Sequence, residues 1–181
     1  MSTHSRVHVL SKSRIQSGRQ CEKRLWLEMN QPDAVEWGGA AQQRLDEGTR
    51  FGVLAQDLLG GGSLIAADHR HFPQALADTQ AELRKSRKPS PRLFEAAFEY
   101  QGVRVRVDAF ERQARGDTLI EVKSTTTVKD EHIWDCAIQT WVARGAGRKV
   151  DRVLLAHVNR EFVYRREGDF KGLLTLQDIT R

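Results

Sequence analysis

The apolar residues in the first half of the chain recur every three or four positions, which is the spacing of amphipathic helices. One such stripe, through Cys21, Leu25 and Met29, predicts a first helix that begins at Ser11 or Ser13. Cys21 then lies on the apolar face, so we expect a buried structural thiol there. The same spacing predicts two further helices, at 42–59 and 73–87, with a short strand at 63–67 between them.

Beyond Pro91 the apolar residues alternate with polar ones, which is typical of β-strands with one buried face. Three such segments, separated by tight turns, predict an antiparallel meander with strands at 94–100, 103–110 and 118–124. A helix at 129–143 follows, and two more strands are predicted at 150–159 and 161–165. This order predicts an α/β fold in which helices flank a central mixed sheet.

Composition indicates a single globular domain over residues 1–181. Hydrophobic residues make up 39% of the chain and charged residues 29%, and a chain of this length buries enough surface for one core. Its longest stretch without a charge, residues 58–67, is too short to span a bilayer, and no apolar signal segment precedes it. Cys21 and Cys136 are too few for a disulfide framework. We therefore expect a cytoplasmic protein that makes no membrane contact.

The net charge of +5 is concentrated at the N-terminal end of the chain. Residues 1–24 contain six basic residues and one acidic residue, so residues 1–30 form a basic arm and helix. A second basic cluster lies at 84–88. Clustered bases favour a polyanionic partner such as nucleic acid, although a solvated basic surface gives the same pattern.

Acidic and basic residues share one face of the predicted meander. By alternation, Asp108 projects opposite to Val107 and Ala109, and Glu121 projects on the same side as Lys123. The pattern D-x12-E-x-K therefore brings two carboxylates and one ammonium group together. A hard divalent cation such as Mg²⁺ or Mn²⁺ relieves the repulsion between close carboxylates. Such a cation activates water for attack on a phosphate, and Lys123 is placed to orient that water or to stabilise the developing charge.

Other polar residues extend this acidic face. Glu95 lies on the adjacent predicted strand, and Asp135 and Gln139 lie four residues apart on the helix that follows Lys123. Solvent-facing strand charges would give the same pattern in isolation, but the convergence of several elements favours a site. We expect Asp135 to be a surface group or a group that supports the site, and not a metal ligand.

Several basic and aromatic residues are candidates for contact with nucleic acid. The basic candidates are Lys12 and Arg14 in the N-terminal segment, Arg104 and Arg106 beside the acidic face, and Lys129 at the start of the following helix. The alternative for the two strand arginines is simple pairing with Glu95 or Glu99. Trp37, in a glycine-rich loop, is a candidate for stacking on a base. The remaining tryptophans are expected to anchor the core: Trp26, Trp134 and Trp141.

The runs R-V-D-A-F (106–110), L-I-E-V-K-S (119–124) and D-C-A-I-Q (135–139) resemble the RecB-like branch of the PD-(D/E)XK nuclease superfamily. Within that branch, S-K-S-R (11–14) and C-x-K-R-L-W-L (21–27) are similar to a bacterial family that carries this nuclease domain. The resemblance spans about residues 10–180. It implies a restriction-endonuclease-like core and a metal-dependent nuclease that acts on nucleic acid, DNA rather than RNA. The residues to which it gives roles are Asp108 and Glu121 as metal ligands, Lys123 as the catalytic lysine, and Glu95 and Gln139 as further catalytic residues.

The chain departs from the RecB-like pattern at several positions. Many members carry G-x-x-x-H on an early helix, with the histidine as a metal ligand, but here Gly52 is followed at that spacing by Gln56. Cys21 matches the first cysteine of members with an iron–sulfur cluster, but three late cysteines are absent, so no cluster is expected. The bacterial family's members are longer, which implies a partner protein or a further C-terminal domain. Two alternatives therefore stay open: a weak or inactive nucleic-acid-binding or docking module, and a nuclease that acts only with its partner.

Overall fold

A computed structural model of the protein describes residues 9–34, 38–85 and 92–180. Trp37, Arg87 and Lys88, which the sequence singles out, lie outside the described residues, as does the first part of the basic arm. The described chain forms a seven-stranded mixed sheet against which helices pack. The predicted α/β class and the central mixed sheet are thereby confirmed.

The predicted first helix is divided into two at Cys21. The elements of this region are β1 (Leu10–Ser11), α1 (Lys12–Gln20) and α2 (Glu22–Asn30). Cys21 between the helices has extended backbone, with φ −163° and ψ 117°. The two helices meet where Gly18 contacts Leu25, because a Cβ at Gly18 would lie only 2.9 Å from Leu25 Cδ2. The apolar residues that predicted one continuous helix face instead form a contact between two helices. Cys21, at the corner between them, is exposed, so the prediction that it is buried is wrong.

The second and third predicted helices are confirmed. A three-residue 3-10 turn (Pro32–Ala34) precedes α3 (Gly39–Leu58), which ends before the glycine run, where Gly60 has φ +91°. The short strand β2 (Ser63–Leu64) and a second 3-10 turn (His69–His71) lead to α4 (Phe72–Arg84), with Pro73 in its first turn. Within the described ranges, no helix combines the length and the apolarity needed to cross a membrane.

The predicted meander forms the centre of the sheet. Its strands are β3 (Leu93–Tyr100), β4 (Val103–Glu111) and β5 (Asp117–Lys123), paired antiparallel in sequence order. Helix α5 (Asp130–Gly145) then crosses over to β6 (Val150–Val158), which lies parallel to β5. The last strand of the chain, β7 (Leu174–Asp178), pairs antiparallel with β6. At the other end of the chain, β2 pairs with β3 and β1 pairs with β4, both in parallel.

The strand predicted at 161–165 is wrong, because those residues lie in the loop between β6 and β7. Asn159 organises this loop: its side-chain amide donates to the Gly172 carbonyl at 3.0 Å. Tyr164 stacks on Phe170 within the loop, with ring centroids 5.4 Å apart. The apolar residues that resembled a strand therefore pack inside the loop or face solvent.

The two largest apolar clusters lie on opposite faces of the sheet. Leu119 and Ile120 are neighbours on one strand but belong to different clusters. Because successive side chains of a strand point to opposite faces, the two clusters lie on opposite sides of the sheet. The larger cluster lies beneath α5 and includes Cys136, which is buried as predicted. The smaller one includes Phe94, and Leu59 at the end of α3 packs against it.

Three tryptophans that were expected in the core are instead half exposed. The exposed fractions are 55% for Trp26, 47% for Trp134 and 43% for Trp141. The ring of Trp134 lies beneath the Arg19 guanidinium, 3.7 Å from ring centroid to Cζ. Trp141 packs edge-on against Tyr100, with centroids 5.1 Å apart. These rings cover the outer surface of the helices, and the smaller residues beneath them fill the core.

Candidate active site

A double irregularity in β3 and β4 determines which side chains reach the site. Val107 belongs to the cluster beneath α5 but Ala109 to the opposite cluster, so the alternation of β4 is interrupted at Asp108. Across from it in β3, Glu95 has left-handed backbone with φ +57°, and neither residue pairs in the register of the two strands. The prediction that Val107 and Ala109 share a face is therefore wrong. Strict alternation from Val107 would have turned Asp108 away from α5.

The same irregularity separates the ends of β4 and β5. These strands pair in register only at 109–111 with 118–120. Beyond that point the Asp108 carboxylate accepts the backbone N–H of Val122 at 2.7 Å. A side-chain oxygen thus replaces a backbone acceptor, and it holds Asp108 beside the segment that carries Glu121.

Glu121 is buried, with 1% of its surface exposed, and both of its carboxylate oxygens are hydrogen-bonded. Its Oε1 accepts from Lys12 Nζ at 2.7 Å and lies 2.8 Å from Lys123 Nζ. Its Oε2 accepts from Gln139 Nε2 of α5. The predicted convergence of Glu121, Lys123 and Gln139 is present, and Lys12 from the N-terminal segment joins it.

Lys123 bridges two carboxylates. Besides its contact with Glu121, its Nζ donates to Asp135 Oδ2 at 2.5 Å. The other oxygen of Asp135 accepts from Gln16 Nε2 at 3.1 Å. Asp135 is therefore a buried partner of the lysine, which agrees with a supporting role and disagrees with a position on the helix surface.

The electrostatic environment shifts the pKa values of the two strand carboxyl groups, Asp108 and Glu121, in opposite directions. Burial raises the pKa of Glu121, but the ammonium groups of Lys12 and Lys123 outweigh it and bring that pKa down to about 2. Burial and repulsion from Glu121 together raise the pKa of Asp108 to about 8. Burial lowers the pKa of Lys123, but its attraction to Glu121 and Asp135 raises it further, so the net shift is upward.

The donors of this cluster suit a hard divalent cation. Asp108 and Glu121 offer carboxylate oxygens, and burial together with repulsion from Glu121 raises the pKa of Asp108, an effect that a bound cation would offset. Gln139 Oε1 is buried without a hydrogen-bond partner among the described residues. Within 9–34, 38–85 and 92–180 no group of three or more His, Cys, Asp or Glu is arranged to hold a metal. Mg²⁺ commonly binds through one or two carboxylates and keeps several waters, so the carboxylates of Asp108 and Glu121 are the residues here that fit this ion.

Glu95 and Arg106 form an ion pair beside Asp108. Arg106 Nε donates to Glu95 Oε2 at 3.0 Å, and its terminal nitrogens donate to the backbone carbonyls of Ala67 and Ile65. Glu95 is close enough to contribute to the raised pKa of Asp108. The structure thus brings Glu95 to the site, but its carboxylate is already paired.

The remaining candidates for nucleic-acid contact differ in the groups with which they pair. Arg104 Nε donates to Glu99 at 2.8 Å. Both strand arginines therefore form the ion pairs that the sequence offered as the alternative to phosphate contact, Arg104 with Glu99 and Arg106 with Glu95. Arg14 donates to the backbone carbonyl of Val9 at 2.9 Å. The exposed Lys129 is the N-cap residue of α5. Lys12 is unlike the others, because its ammonium lies within the acidic cluster.

Sequence reasoning did not foresee the contacts of Lys12 and Gln16 with the site. Both residues belong to α1, whose start is fixed beside the meander by the pairing of β1 with β4. Lys12 and Glu121 are 109 positions apart, and a two-residue strand has no periodicity to detect. The only signal available was the S-K-S-R motif, which carries a lysine but does not show where it points.

No protein-family model matches the chain, and no curated protein matches it. Among solved structures, one described as the crystal structure of SSO0001 superposes with a TM-score of 0.40 and 12% sequence identity. The superposition covers 93% of this chain and 62% of the other, so this chain spans less than two thirds of that protein. A likeness of this degree carries no argument about the activity of the chain.

Proposed function

We propose that this chain is a metal-dependent nuclease domain of the RecB-like PD-(D/E)XK kind, with a restriction-endonuclease-like core. The observation that carries the proposal is the convergence of Asp108, Glu121 and Lys123, from two strands whose ends have separated, next to Gln139. These are the four residues around which the sequence resembles that superfamily. The α5 crossover between two parallel strands is compatible with such a core.

Each residue of the cluster has a distinct role in this proposal. Mg²⁺ or Mn²⁺ held by Asp108 and Glu121 would activate water and neutralise charge on the attacked phosphate. Gln139 fixes the orientation of Glu121 through the bond to Oε2. Lys123, held between Glu121 and Asp135, is a fixed cation that can hold an oxygen of the water or of the phosphate. Glu95 acts through its ion pair with Arg106 and its proximity to Asp108.

The proposed substrate is nucleic acid in the cytoplasm, DNA rather than RNA, as the resemblance implies. The basic candidates for phosphate contact are Lys12, Arg14, Arg104, Arg106 and Lys129. A partner protein would direct the nuclease to its substrate. The proposal includes no iron–sulfur cluster and no membrane contact.

The first test is a cleavage assay. The purified protein is incubated with labelled linear and circular DNA, single- and double-stranded, with Mg²⁺ or Mn²⁺. We expect metal-dependent cleavage that falls at least about 100-fold in Asp108→Ala and in Lys123→Ala, because each removes a group that stabilises the transition state. Glu131→Gln, on the exposed side of α5, is the matched control and retains the activity. Cleavage that persists in Asp108→Ala contradicts the assignment.

A second candidate function is a nucleic-acid-binding or docking module that keeps the nuclease fold. The observation that favours it is the double ammonium contact at Glu121 Oε1, since Lys12 and Lys123 already neutralise that carboxylate. Salt-sensitive DNA binding without cleavage by either metal would support this function. Cleavage that appears only with a partner protein would instead support a nuclease that depends on its partner.

A further inference from the structure

A cavity of about 490 Å³ opens beside the acidic cluster, between the N-terminal segment and the strand β4. Its walls come from residues 9–14, from the turn before α4 and from the middle of β4. The side chains that matter for its chemistry are Lys12, Arg14, His69, Phe72, Arg104 and Arg106. The lining contains four cationic residues, one histidine and no acidic residue, so the cavity is suited to an anion.

Two of these cations have donors to spare. Arg104 uses Nε for Glu99, and its terminal nitrogens have no protein acceptor among the described residues, while its guanidinium lies 4.9 Å from the centroid of the Phe72 ring. Arg14 uses one terminal nitrogen for the Val9 carbonyl and has no carboxylate partner in the described part of the chain. By contrast, Arg106 is occupied by Glu95 and two backbone carbonyls. Arg14 and Arg104 are therefore the groups that can bind a ligand.

The cavity adjoins the site through two residues of its lining, Lys12 and Arg106. Lys12 lines it, and the Lys12 ammonium also contacts Glu121. Arg106 lines it as well and pairs with Glu95, which lies across from Asp108. The strand β1, which forms one wall, is anchored to the β3–β4 turn through the Leu10 N–H and the Gly102 carbonyl.

We propose that this cavity binds the terminal phosphate monoester of a nucleic-acid strand and directs the nuclease to strand ends. The inference rests on the proposed function and specifies its substrate. A terminal phosphate carries close to two negative charges at neutral pH, whereas a phosphodiester carries one. Two guanidinium groups with free donors, Arg14 and Arg104, match that extra charge through charge-assisted hydrogen bonds.

The test compares short fluorescent oligonucleotides that differ only in carrying a 5′-phosphate, a 3′-phosphate or hydroxyl ends. Binding is measured by anisotropy in EDTA, so that no cleavage is needed. We expect one phosphorylated end to bind about tenfold more tightly than the hydroxyl form, as two charge-assisted hydrogen bonds would give. The preference falls below about threefold in Arg14→Gln and in Arg104→Gln. Arg115→Gln, an exposed change in the turn before β5, keeps it.

Equal affinity for all three ends overturns the inference, and so does a preference that survives in both cavity variants. Cleavage of DNA without any preference for phosphorylated ends overturns the inference and leaves the nuclease proposal standing. A clear preference for phosphorylated ends without cleavage in Mg²⁺ or Mn²⁺ supports the inference and contradicts the proposal that the chain alone is a nuclease.

Discussion

At the scale of single residues, Glu121 is the group on which the candidate site depends. Its carboxylate is almost fully buried, and an ionised carboxylate is costly to bury unless other groups neutralise it. Lys12 and Lys123 supply positive charge to Oε1, and the Gln139 amide supplies a hydrogen bond to Oε2. Each of these three partners comes from a different element, so Glu121 joins α1, β5 and α5.

Gln139→Leu tests this dependence. The change removes the donor to Glu121 Oε2 and leaves a buried charged oxygen without its partner. We expect the free energy of unfolding to fall by about 1–3 kcal/mol. Urea denaturation followed by circular dichroism measures the change. Gln43→Leu, on the exposed side of α3, is the control and changes stability by less than about 0.5 kcal/mol. If both variants lose the same stability, the Gln139 bond has no special importance.

The sequence predicts some residues of the site and not others, for a physical reason. Glu121 and Lys123 share a strand face, and Gln139 lies on the helix that follows, so local periodicity is enough to group them. Asp108 was grouped with them correctly, but by an alternation that the structure interrupts at that residue. The contact of Lys12 depends on a pairing between distant segments, which local periodicity does not encode.

At the scale of elements, the turn between β3 and β4 carries a conformational cost. Gln101 has φ +47° and Gly102 has φ +75°, as in the two-residue turns that match the twist of antiparallel strands. Glycine adopts this conformation freely, but glutamine does so rarely. The turn also supplies the Gly102 carbonyl that accepts the N–H of Leu10, so it anchors β1.

Gln101→Asn is expected to stabilise the protein, because asparagine tolerates left-handed backbone better than glutamine does. We expect a gain of about 0.5 kcal/mol in the free energy of unfolding, measured by thermal and urea denaturation. Gly102→Ala at the neighbouring position is expected to destabilise, because it adds a Cβ where φ is positive. A loss of stability in Gln101→Asn would contradict this account of the turn.

Periodicity predicted α3, α4, α5 and the meander, and it failed where two structures share one pattern. The stripe through Cys21 fits either one long helix or two helices that pack on each other, and contact of Gly18 with Leu25 decides for the second. Residues 161–165 look like a strand, but the bonds of Asn159 close a loop around them. The strand that pairs with β6 follows that loop, at 174–178.

At the scale of the whole molecule, Asp108 and Glu121 make stability depend on pH in opposite directions. The pKa of Glu121 lies below its ordinary value, so its contribution to stability is present above about pH 4.5 and is lost as the pH falls toward 2. The pKa of Asp108 lies above its ordinary value, so the folded state holds that proton more tightly than the unfolded state. Its contribution is therefore lost as the pH rises from about 4 to about 8.

Asp108→Asn is expected to remove the second effect. In metal-free buffer, the free energy of unfolding of the unsubstituted protein should fall by about 1–2 kcal/mol more than that of the variant between pH 5 and pH 8. The reason is that only the unsubstituted protein must ionise Asp108. Urea denaturation at several pH values measures the difference, and the other titrating groups are common to both proteins. Mn²⁺ at pH 8 is expected to stabilise the unsubstituted protein and not the variant. Parallel pH profiles would contradict the raised pKa of Asp108.

The bond between Lys12 and Glu121 also has a consequence for the order in which the protein is assembled. During synthesis the ribosome releases Lys12 more than a hundred residues before Glu121, so Lys12 of α1 cannot form this ion pair until Glu121 has emerged. The strand β1 likewise has nothing to pair with until β4 has emerged. The cluster of charges therefore closes only after the meander is complete. A nascent chain that is interrupted before β5 holds Lys12 without Glu121, so the charge cluster is not assembled.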